Sequence, residues 1–200
     1  MYYVKKIKWK VLKLGIFGDS AVGKTCIVNS FLNLEFNLEM IATIGTEKSE
    51  AKLKLNNGSD IKLILWDSGG AERFRGVSLN IVKRVQGGIL VFDVTSKKSF
   101  ENLSLWLDSI YEINPSFDLI LFGNKADEDK SEWEVTNEEI NKFIEEKKLK
   151  YFEVSAKNRI GINEGINYIV NELCKEEEEK EYIVIKPKKN KIKLLIIYRQ

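Results

Sequence analysis

The sequence predicts an α/β fold in which about five helices flank a six-stranded, mostly parallel sheet with one antiparallel edge strand. Apolar runs of strand length alternate along the chain with segments whose apolar residues recur at helical spacing. The turn signal at 56–58, Asn-Asn-Gly, separates the second and third apolar runs, and a turn this short joins antiparallel neighbours. Elsewhere the alternation predicts parallel strands with helices on both faces of the sheet.

The predicted elements follow from this periodicity. Six segments are predicted to be strands: Val11–Phe17, Lys52–Leu55, Ile61–Trp66, Gly88–Phe92, Leu119–Phe122 and Tyr151–Val154. Five segments are predicted to be helices: Lys24–Leu34, Phe74–Val85, Ser99–Ile113, Asn137–Lys148 and Ile162–Lys180. Ser99 followed by Asn102 marks the start of the third helix, and Thr136 followed by Glu139 predicts a capping box before the fourth. We expect one domain over 9–180, an N-terminal extension at 1–8 and a basic, flexible tail at 181–200.

Composition excludes several functional classes. The chain has 32 Lys and Arg against 30 Asp and Glu, so its net charge of +2 creates no field that would attract nucleic acid. It has no His, which excludes histidine-based acid–base catalysis, His metal sites and Ser-His-Asp triads. The two cysteines, Cys26 and Cys174, are too few for a disulfide framework and fit a reducing cytoplasm.

Residues 18–25, with the sequence GDSAVGKT, carry the pattern of a phosphate-binding loop. They fit G-x-x-x-x-G-K-[ST] directly after a predicted strand and directly before a predicted helix. Gly18 and Gly23 would let backbone N–H groups wrap closely around phosphates. Lys24 would place its charge on the terminal phosphates, and the Thr25 hydroxyl would bind Mg²⁺. An accidental glycine-rich turn is the alternative, and the matching strand and helix argue against it.

A carboxylate at the end of the third strand extends the predicted site to a metal. Asp67 follows Ile61–Trp66 directly, at the sheet edge where ligands of open α/β sheets bind. There it could hold the water shell of Mg²⁺ beside the phosphates. An isolated strand-end aspartate more often caps a turn, but the phosphate loop favours the metal role here.

Two further loops at the same edge predict a base site. Asn124, Lys125 and Asp127 follow the strand Leu119–Phe122, and the Asp127 carboxylate could accept hydrogen bonds from the N1–H and 2-amino groups of guanine. Adenine offers no such pair of donors, so the predicted specificity is for guanine. After the next strand, the residues that would complete the pocket are Ser155, Ala156 and Lys157.

These residues together resemble the Ras superfamily of small GTPases, and among its branches most resemble Rab GTPases, over residues 9–175. The stretches that carry the resemblance are Gly18-Asp19-Ser20, Gly23-Lys24-Thr25-Cys26, Thr43-Ile44-Gly45, Trp66-Asp67, Glu72-Arg73-Phe74-Arg75, Phe92-Asp93-Val94-Thr95 and Ser99-Phe100-Glu101-Asn102. The resemblance implies a P-loop small GTPase domain that binds GTP or GDP with Mg²⁺.

The resemblance also implies residue roles. Thr43 would close onto Mg²⁺ and the γ-phosphate, Gly70 would donate its N–H to that phosphate, and Phe36 would lie against the guanine. The catalytic residues are then Lys24, Thr43 and Gly70, and the metal-binding residues are Thr25, Thr43 and Asp67. The nucleotide-binding residues are Asp19, Ser20, Ala21, Val22, Gly23, Lys24, Thr25, Cys26, Phe36, Thr43, Gly70, Asn124, Lys125, Asp127, Ser155, Ala156 and Lys157.

One position departs from the family pattern in a way that bears on catalysis. Ala71 stands where the family usually places a Gln that orients the attacking water. A methyl group can neither donate nor accept a hydrogen bond, so we expect intrinsic hydrolysis to be slower by roughly 10–1000-fold. Alternatively, Ala71 is neutral because hydrolysis is always driven by a partner.

The tail departs as well. The chain ends without the cysteines that receive prenyl groups in Rab proteins, so we expect no C-terminal prenylation. Lysines at 186–193 precede the apolar run 194–198, and weak adsorption to an anionic membrane is one interpretation. A disordered tail or a linker is the favoured one. We expect a cytoplasmic protein, with peripheral attachment to an endomembrane as an alternative.

The leading functional hypothesis is a slow GTPase switch in vesicle traffic, with effector, exchange-factor and GTPase-activating proteins as partners. The effector would contact residues near 40–50 and 68–80. A non-hydrolysing module that binds GTP or GDP is the competing class, and Ala71 is the feature in its favour. An ATP-dependent P-loop enzyme is disfavoured by Asn124, Lys125 and Asp127.

Overall fold

A computed structural model describes residues 10–35, 43, 45–69 and 75–178. Six strands form one sheet in the order β2-β3-β1-β4-β5-β6. Their bounds are β1 Lys10–Phe17, β2 Thr46–Lys54, β3 Asp60–Ser68, β4 Gly87–Asp93, β5 Asp118–Asn124 and β6 Lys150–Glu153. In this sheet β2 pairs antiparallel with β3, and the other pairs are parallel. The predicted fold class, with its antiparallel edge strand, is confirmed.

The sheet separates two apolar layers. Alternate residues of a strand point to opposite faces, so Ile89 and Val91 join one core cluster while Leu90 and Phe92 join the other. Every residue of β4 is buried, as expected of a central strand covered on both faces. The packed central strands form a platform, and the loops that leave the carboxyl edge of the sheet take their positions from it.

The helices lie in the intervals that periodicity indicated, with different bounds. They are α1 Lys24–Phe31, α2 Arg75–Leu79, α3 Lys97–Glu101, α4 Leu103–Ile113, α5 Asn137–Lys147 and α6 Ile162–Glu178, and short 3₁₀ turns lie at Val82–Arg84 and Lys130–Glu132. The helix expected at 99–113 is two helices that meet at Asn102. The first of the two, α3, begins earlier than predicted because the side chain of Ser96, rather than that of Ser99, caps it by accepting from the Ser99 N–H.

Two other predictions about elements have clear outcomes. β2 begins at Thr46 instead of Lys52, because its early residues are polar and owe their strand conformation to pairing with β3. The capping box before α5 is confirmed: Thr136 accepts from the Glu139 N–H at 3.3 Å, and the Glu139 carboxylate accepts from the Thr136 N–H at 3.0 Å.

Several predictions concern residues outside the described ranges. They are the N-terminal extension at 1–8, the tail at 181–200, and the roles of Phe36, Gly70 and Ala71. Within the described ranges, none of the helices combines the length and apolar character that crossing a bilayer requires.

Candidate functional site

The phosphate loop connects β1 to α1 and lies against the neighbouring strands. Gly18 has φ 136° and Gly23 has φ 94°, a region that strongly favours glycine. A Cβ on Gly18 would meet the Val91 carbonyl oxygen at 2.2 Å, and one on Gly23 would meet Asn124 Nδ2 at 2.3 Å. Glycine is therefore required at both positions for two reasons: the backbone conformation disfavours other residues, and a side chain would collide with β4 or β5.

The lysine of the loop is buried among carbonyl groups. Lys24 Nζ donates to the Gly18 carbonyl at 2.9 Å and to the Asp19 carbonyl at 2.6 Å, and only 5% of the residue is exposed. Burial lowers the pKa of Lys24 to about 8, although Asp67 and Asp19 nearby oppose this change. A phosphate beside Nζ would stabilise the charged ammonium, because the protein by itself compensates this charge incompletely.

Three oxygen-bearing side chains predicted for the metal converge. Thr25 Oγ1 donates to Asp67 Oδ2 at 2.5 Å and lies 2.9 Å from Thr43 Oγ1. Asp67 Oδ1 is buried and has no hydrogen-bond partner among the described residues. Burial accordingly raises the pKa of Asp67, and hydrogen bonding from Thr25 and the charge of Lys24 offset this effect only in part.

This donor set fits Mg²⁺. Hydroxyl and carboxylate oxygens are the ligands of hard divalent cations, and Mg²⁺ commonly takes few protein ligands and completes its shell with water and phosphate oxygens. The unpartnered oxygen of Asp67 is the feature that such an ion or its bound water would satisfy.

Asn124 joins the phosphate loop to the last of the site loops. Its Nδ2 donates to the Val22 carbonyl at 2.8 Å, and its Oδ1 accepts from the Ala156 N–H at 3.1 Å. The residue is 2% exposed. Its amide therefore uses one donor and one acceptor to fix two loops that are far apart in the chain.

Asp127 lies beside Ser155 and Lys157. Ser155 Oγ donates to Asp127 Oδ1 at 2.5 Å, and Lys157 Nζ lies 3.4 Å from Asp127 Oδ2. Burial alone would raise the pKa of Asp127, but the hydrogen bonds from Ser155, its own backbone and Lys157 outweigh burial, so the pKa lies below its usual value. The structure thus brings together a charged acceptor and the two residues predicted to accompany it.

Lys125 has a partner that sequence reasoning missed. It forms an ion pair with Asp93, the last residue of β4, and it adopts φ 67°. Asp93 Oδ1 also accepts from the N–H and hydroxyl of Thr95, at 2.9 and 2.7 Å. Asp93 lies at the end of a strand, as Asp67 does, and this position is the sequence feature from which its place in the site could have been predicted. Lys125 and Asp93 both line a cavity of about 470 Å³, together with Ser20, Ala21 and Val22.

Gly69, which is not among the predicted site residues, lies close to the segment that contains Thr43. Its N–H donates to the Gly45 carbonyl at 2.9 Å, and its carbonyl accepts from Ser78 Oγ at 2.8 Å. A Cβ on Gly69 would meet the Thr43 carbonyl oxygen at 2.6 Å. The segments containing Thr43 and Gly69 therefore approach each other more closely than any side chain at position 69 would allow.

The other predicted site residues occupy different surroundings. Ser20 and Ala21 are exposed at the tip of the phosphate loop, Cys26 is partly buried in α1, and Ala156 is 4% exposed. The Asp19 carboxylate accepts two hydrogen bonds, one from Asn102 and one from Trp106 of α4. Phe36 and Gly70 lie outside the described ranges, so their roles stay predictions.

Comparison with known proteins places this site in context. A model of the Ras family matches residues 13–175. The chain is 35% identical to Ras-related protein Rab-13 of Mesocricetus auratus over 164 residues, which cover 82% of this chain and 80% of that protein. It is 36% identical to Ras-related protein Rab-10 of Diplobatis ommata over 179 residues, 88% of each chain. It is 33% identical to Ras-related protein Rab-11C of Dictyostelium discoideum over 181 residues, 90% of this chain and 80% of that protein.

Proposed function

Because the chain belongs to the Ras family of small GTPases and is most like its Rab members, we propose that it is a Mg²⁺-dependent, GTP-binding switch with slow intrinsic hydrolysis. Ras and Rab proteins in general bind GTP or GDP with Mg²⁺ and hydrolyse GTP. One observation carries the finer proposal for this chain. Thr25, Thr43 and Asp67 converge, and Asp67 keeps a buried oxygen with no partner among the described residues.

In this proposal Thr25 and Thr43 would hold Mg²⁺ directly, and Asp67 would hold its water shell. The bound ion would neutralise charge on the phosphates. Lys24 would contribute its ammonium from the other side, where burial already lowers its pKa to about 8 and so favours a negatively charged neighbour.

Guanine selection would come from Asp127. Its carboxylate is held in the charged form and in a fixed orientation by Ser155 and Lys157. A base without two adjacent donors would cover this carboxylate without donating hydrogen bonds to it, which disfavours adenine. Asn124 would support selection indirectly because it fixes the base loop and the phosphate loop relative to each other.

The switch would depend on Thr43. Its hydroxyl lies 2.9 Å from that of Thr25, and the Gly69 backbone packs against the same segment. Loss of the γ-phosphate would remove the ligand that holds Thr43 and Gly70, so both segments would be released together. Effector proteins would recognise the GTP-bound arrangement through residues near 40–50 and 68–80.

Slow hydrolysis follows from Ala71. Attack on the γ-phosphorus needs a water molecule aligned opposite the leaving oxygen, and an alanine side chain offers no group to align it. An activating partner would then have to supply both a cation and a water-orienting group. We propose a role in membrane traffic for a cytoplasmic protein, as the family of the Rab relatives suggests, with peripheral attachment to an endomembrane as the alternative.

The decisive experiment loads the purified protein with GTP labelled at the base and at the γ-phosphate, in the presence of Mg²⁺ and without a partner. The expected result is retained nucleotide that converts to GDP over hours. Lys24→Ala is the control, and it should retain no nucleotide because the phosphates lose their main cation. A wild-type protein that retains no guanine nucleotide would contradict the proposal.

The second candidate is a module that binds guanine nucleotide without hydrolysing it. Ala71 is the observation in its favour. The same experiment separates the candidates, because GTP that stays bound and chemically unchanged over the whole time course supports the module.

A further inference from the structure

The carboxylate of Asp19 is anchored to a helix outside the predicted site. Asn102 Nδ2 donates to Asp19 Oδ2 at 2.6 Å, and Trp106 Nε1 donates to Asp19 Oδ1 at 2.8 Å. Asn102 immediately precedes α4 and Trp106 lies one turn further along, so both donors stand on the same side of one helix. Each carboxylate oxygen therefore has its own N–H donor.

The backbone of the same residue holds the phosphate-binding lysine. The Asp19 carbonyl accepts from Lys24 Nζ at 2.6 Å, so Asp19 contacts Lys24 through its main chain and Asn102 and Trp106 through its side chain. Trp106 is fully buried and belongs to the core cluster that contains Phe17 and Leu90. The loop is thus tied to a part of the molecule that cannot move without disturbing the core.

We propose that Asn102 and Trp106 are positioning residues for nucleotide binding, which act by anchoring the phosphate loop through Asp19. This inference rests on the proposed function, since it needs a nucleotide in the loop. A loop held in its binding shape loses less conformational entropy when the phosphates arrive.

Charge and anchoring make opposite predictions for variants of Asp19. If the carboxylate acted only through its charge, its removal would make the electrostatic potential around the phosphates more positive. Nucleotide release would then be slower. If it acts as an anchor, removal frees the loop and speeds release. Asp19→Asn isolates the two effects, because an amide keeps the shape but cannot accept from both donors.

The test measures release of a fluorescent GDP analogue, chased with unlabelled GDP in Mg²⁺, from the full chain. We expect release to be faster by at least about fivefold in Asp19→Asn and by severalfold in Asn102→Ala, from the usual strength of hydrogen bonds to a charged group. Unchanged or slower release in both variants would overturn the proposal.

A reversal variant adds a readout that loss of stability cannot imitate. In Asp19→Asn with Asn102→Asp, the new amide at position 19 can donate to the new carboxylate at 102 while its oxygen still accepts from Trp106. Release should return to within about twofold of the wild-type rate, from the restored bond. Release that stays as fast as in Asp19→Asn alone would contradict the anchor.

Two controls separate the anchor from general effects. Asp108→Ala removes an exposed carboxylate from α4 and should leave release unchanged. Leu107→Ala removes core contacts from the same helix, so it should lower the unfolding temperature without a matching change in release at temperatures where it is folded. If the wild-type protein retains no labelled GDP, the proposed function fails. If the wild-type protein retains labelled GDP and the Asp19 and Asn102 variants release it at the wild-type rate, only the anchor fails.

Discussion

At the scale of single residues, the site contains charges that the protein compensates unequally. Lys24 has its pKa lowered to about 8 by burial, and burial raises the pKa of Asp67. Asp127 differs, because Ser155 and Lys157 help to bring its pKa below the usual value in spite of burial. The two poorly compensated groups are those expected to meet phosphate and Mg²⁺, whereas the compensated one is expected to meet a neutral base. Binding of phosphate and Mg²⁺ would therefore offset the electrostatic cost of burying Lys24 and Asp67.

The cost at Asp67 makes a prediction about stability. The pKa of Asp67 in the folded protein lies above its ordinary value of 3.8. Between pH 3.8 and the raised pKa, the folded state therefore binds more protons than the unfolded state. The free energy of unfolding accordingly falls as the pH rises through this range. In nucleotide-free protein at pH 7, Asp67→Asn should raise the free energy of unfolding by roughly 1 kcal/mol, because the unpaired buried charge is removed. Urea denaturation across this pH range is the measurement.

The same substitution should weaken Mg²⁺-dependent retention of GDP, so stability and binding move in opposite directions. Asp93→Asn is the matched control, since Asp93 is also a buried strand-end aspartate but has Thr95 and Lys125 as partners. That variant should lower the free energy of unfolding. Equal effects of the two substitutions on stability would contradict the electrostatic account.

Hydrolysis is predicted to respond to Ala71. Ala71→Gln should raise the single-turnover rate of GTP hydrolysis by about tenfold or more, because it supplies a donor and an acceptor that can orient water. Ala71→Leu is the control, as it adds bulk without polar atoms and should give no gain. Rapid mixing of GTP-loaded protein with Mg²⁺, followed by phosphate release, measures the rate. A Gln variant no faster than wild type would contradict this account of the departure.

At the scale of elements, parallel strands place the site, and a capping box stabilises the start of α5. β1, β3 and β5 end at one edge of the sheet, so the phosphate loop, Asp67 and Asn124 meet there although they are far apart in the chain. α5 lies elsewhere and begins with the Thr136–Glu139 capping box. The hydrogen bond from Lys97 lowers the pKa of Glu139 most, and hydrogen bonds from Thr136 lower it further, to about 2. Glu139 is therefore charged at neutral pH and can accept the hydrogen bonds of the capping box.

Disruption of this box should affect stability alone. Thr136→Ala is expected to lower the free energy of unfolding by about 1 kcal/mol, because the Glu139 N–H loses its side-chain acceptor. Thr136→Ser is the control and should retain most of the stability, since its hydroxyl can still cap. Chemical denaturation gives the free energies. A large change in GDP release from Thr136→Ala would show that α5 and the nucleotide site are coupled, contrary to expectation.

At the scale of the whole molecule, a nucleotide would bind several loops that are far apart in the chain. The phosphate loop, the Thr43 segment and the loops at 124–127 and 155–157 come from four different intervals of the chain. A ligand that binds only the folded state stabilises all of them together, by about 4 kcal/mol when its concentration is 1,000 times its Kd.

This linkage predicts both specificity and stability. GDP with Mg²⁺ should raise the unfolding temperature of wild type by several degrees, and ADP with Mg²⁺ should not. In Asp127→Asn the stabilising nucleotide should become xanthosine diphosphate, because the amide can donate to the oxygen that xanthine carries in place of the amino group. Thermal unfolding with each nucleotide measures the effect. Stabilisation of wild type by ADP equal to that by GDP would contradict guanine selection.

Local signals in the sequence were enough to predict the sheet and the capping box at Thr136, and they also indicated residues 18–25 and Asp67 as candidates for the site. Apolar periodicity and capping depend on residues close together in the chain, so they can be recognised before folding. The roles of Phe36, Gly70 and Ala71 rest on family resemblance and stay predictions.

Tertiary structure decided the rest, because the deciding contacts join residues far apart in sequence. Pairing with β3 fixed the start of β2 at Thr46, where no apolar pattern marks a strand. Asp19 found its partner Trp106 at a separation of 87 residues, and Asn124 reached Val22 across 102. The glycines of the phosphate loop are conspicuous in the sequence, but the reason a side chain is excluded at Gly18 is the carbonyl of Val91, which only the assembled sheet brings to 2.2 Å from where a Cβ would lie.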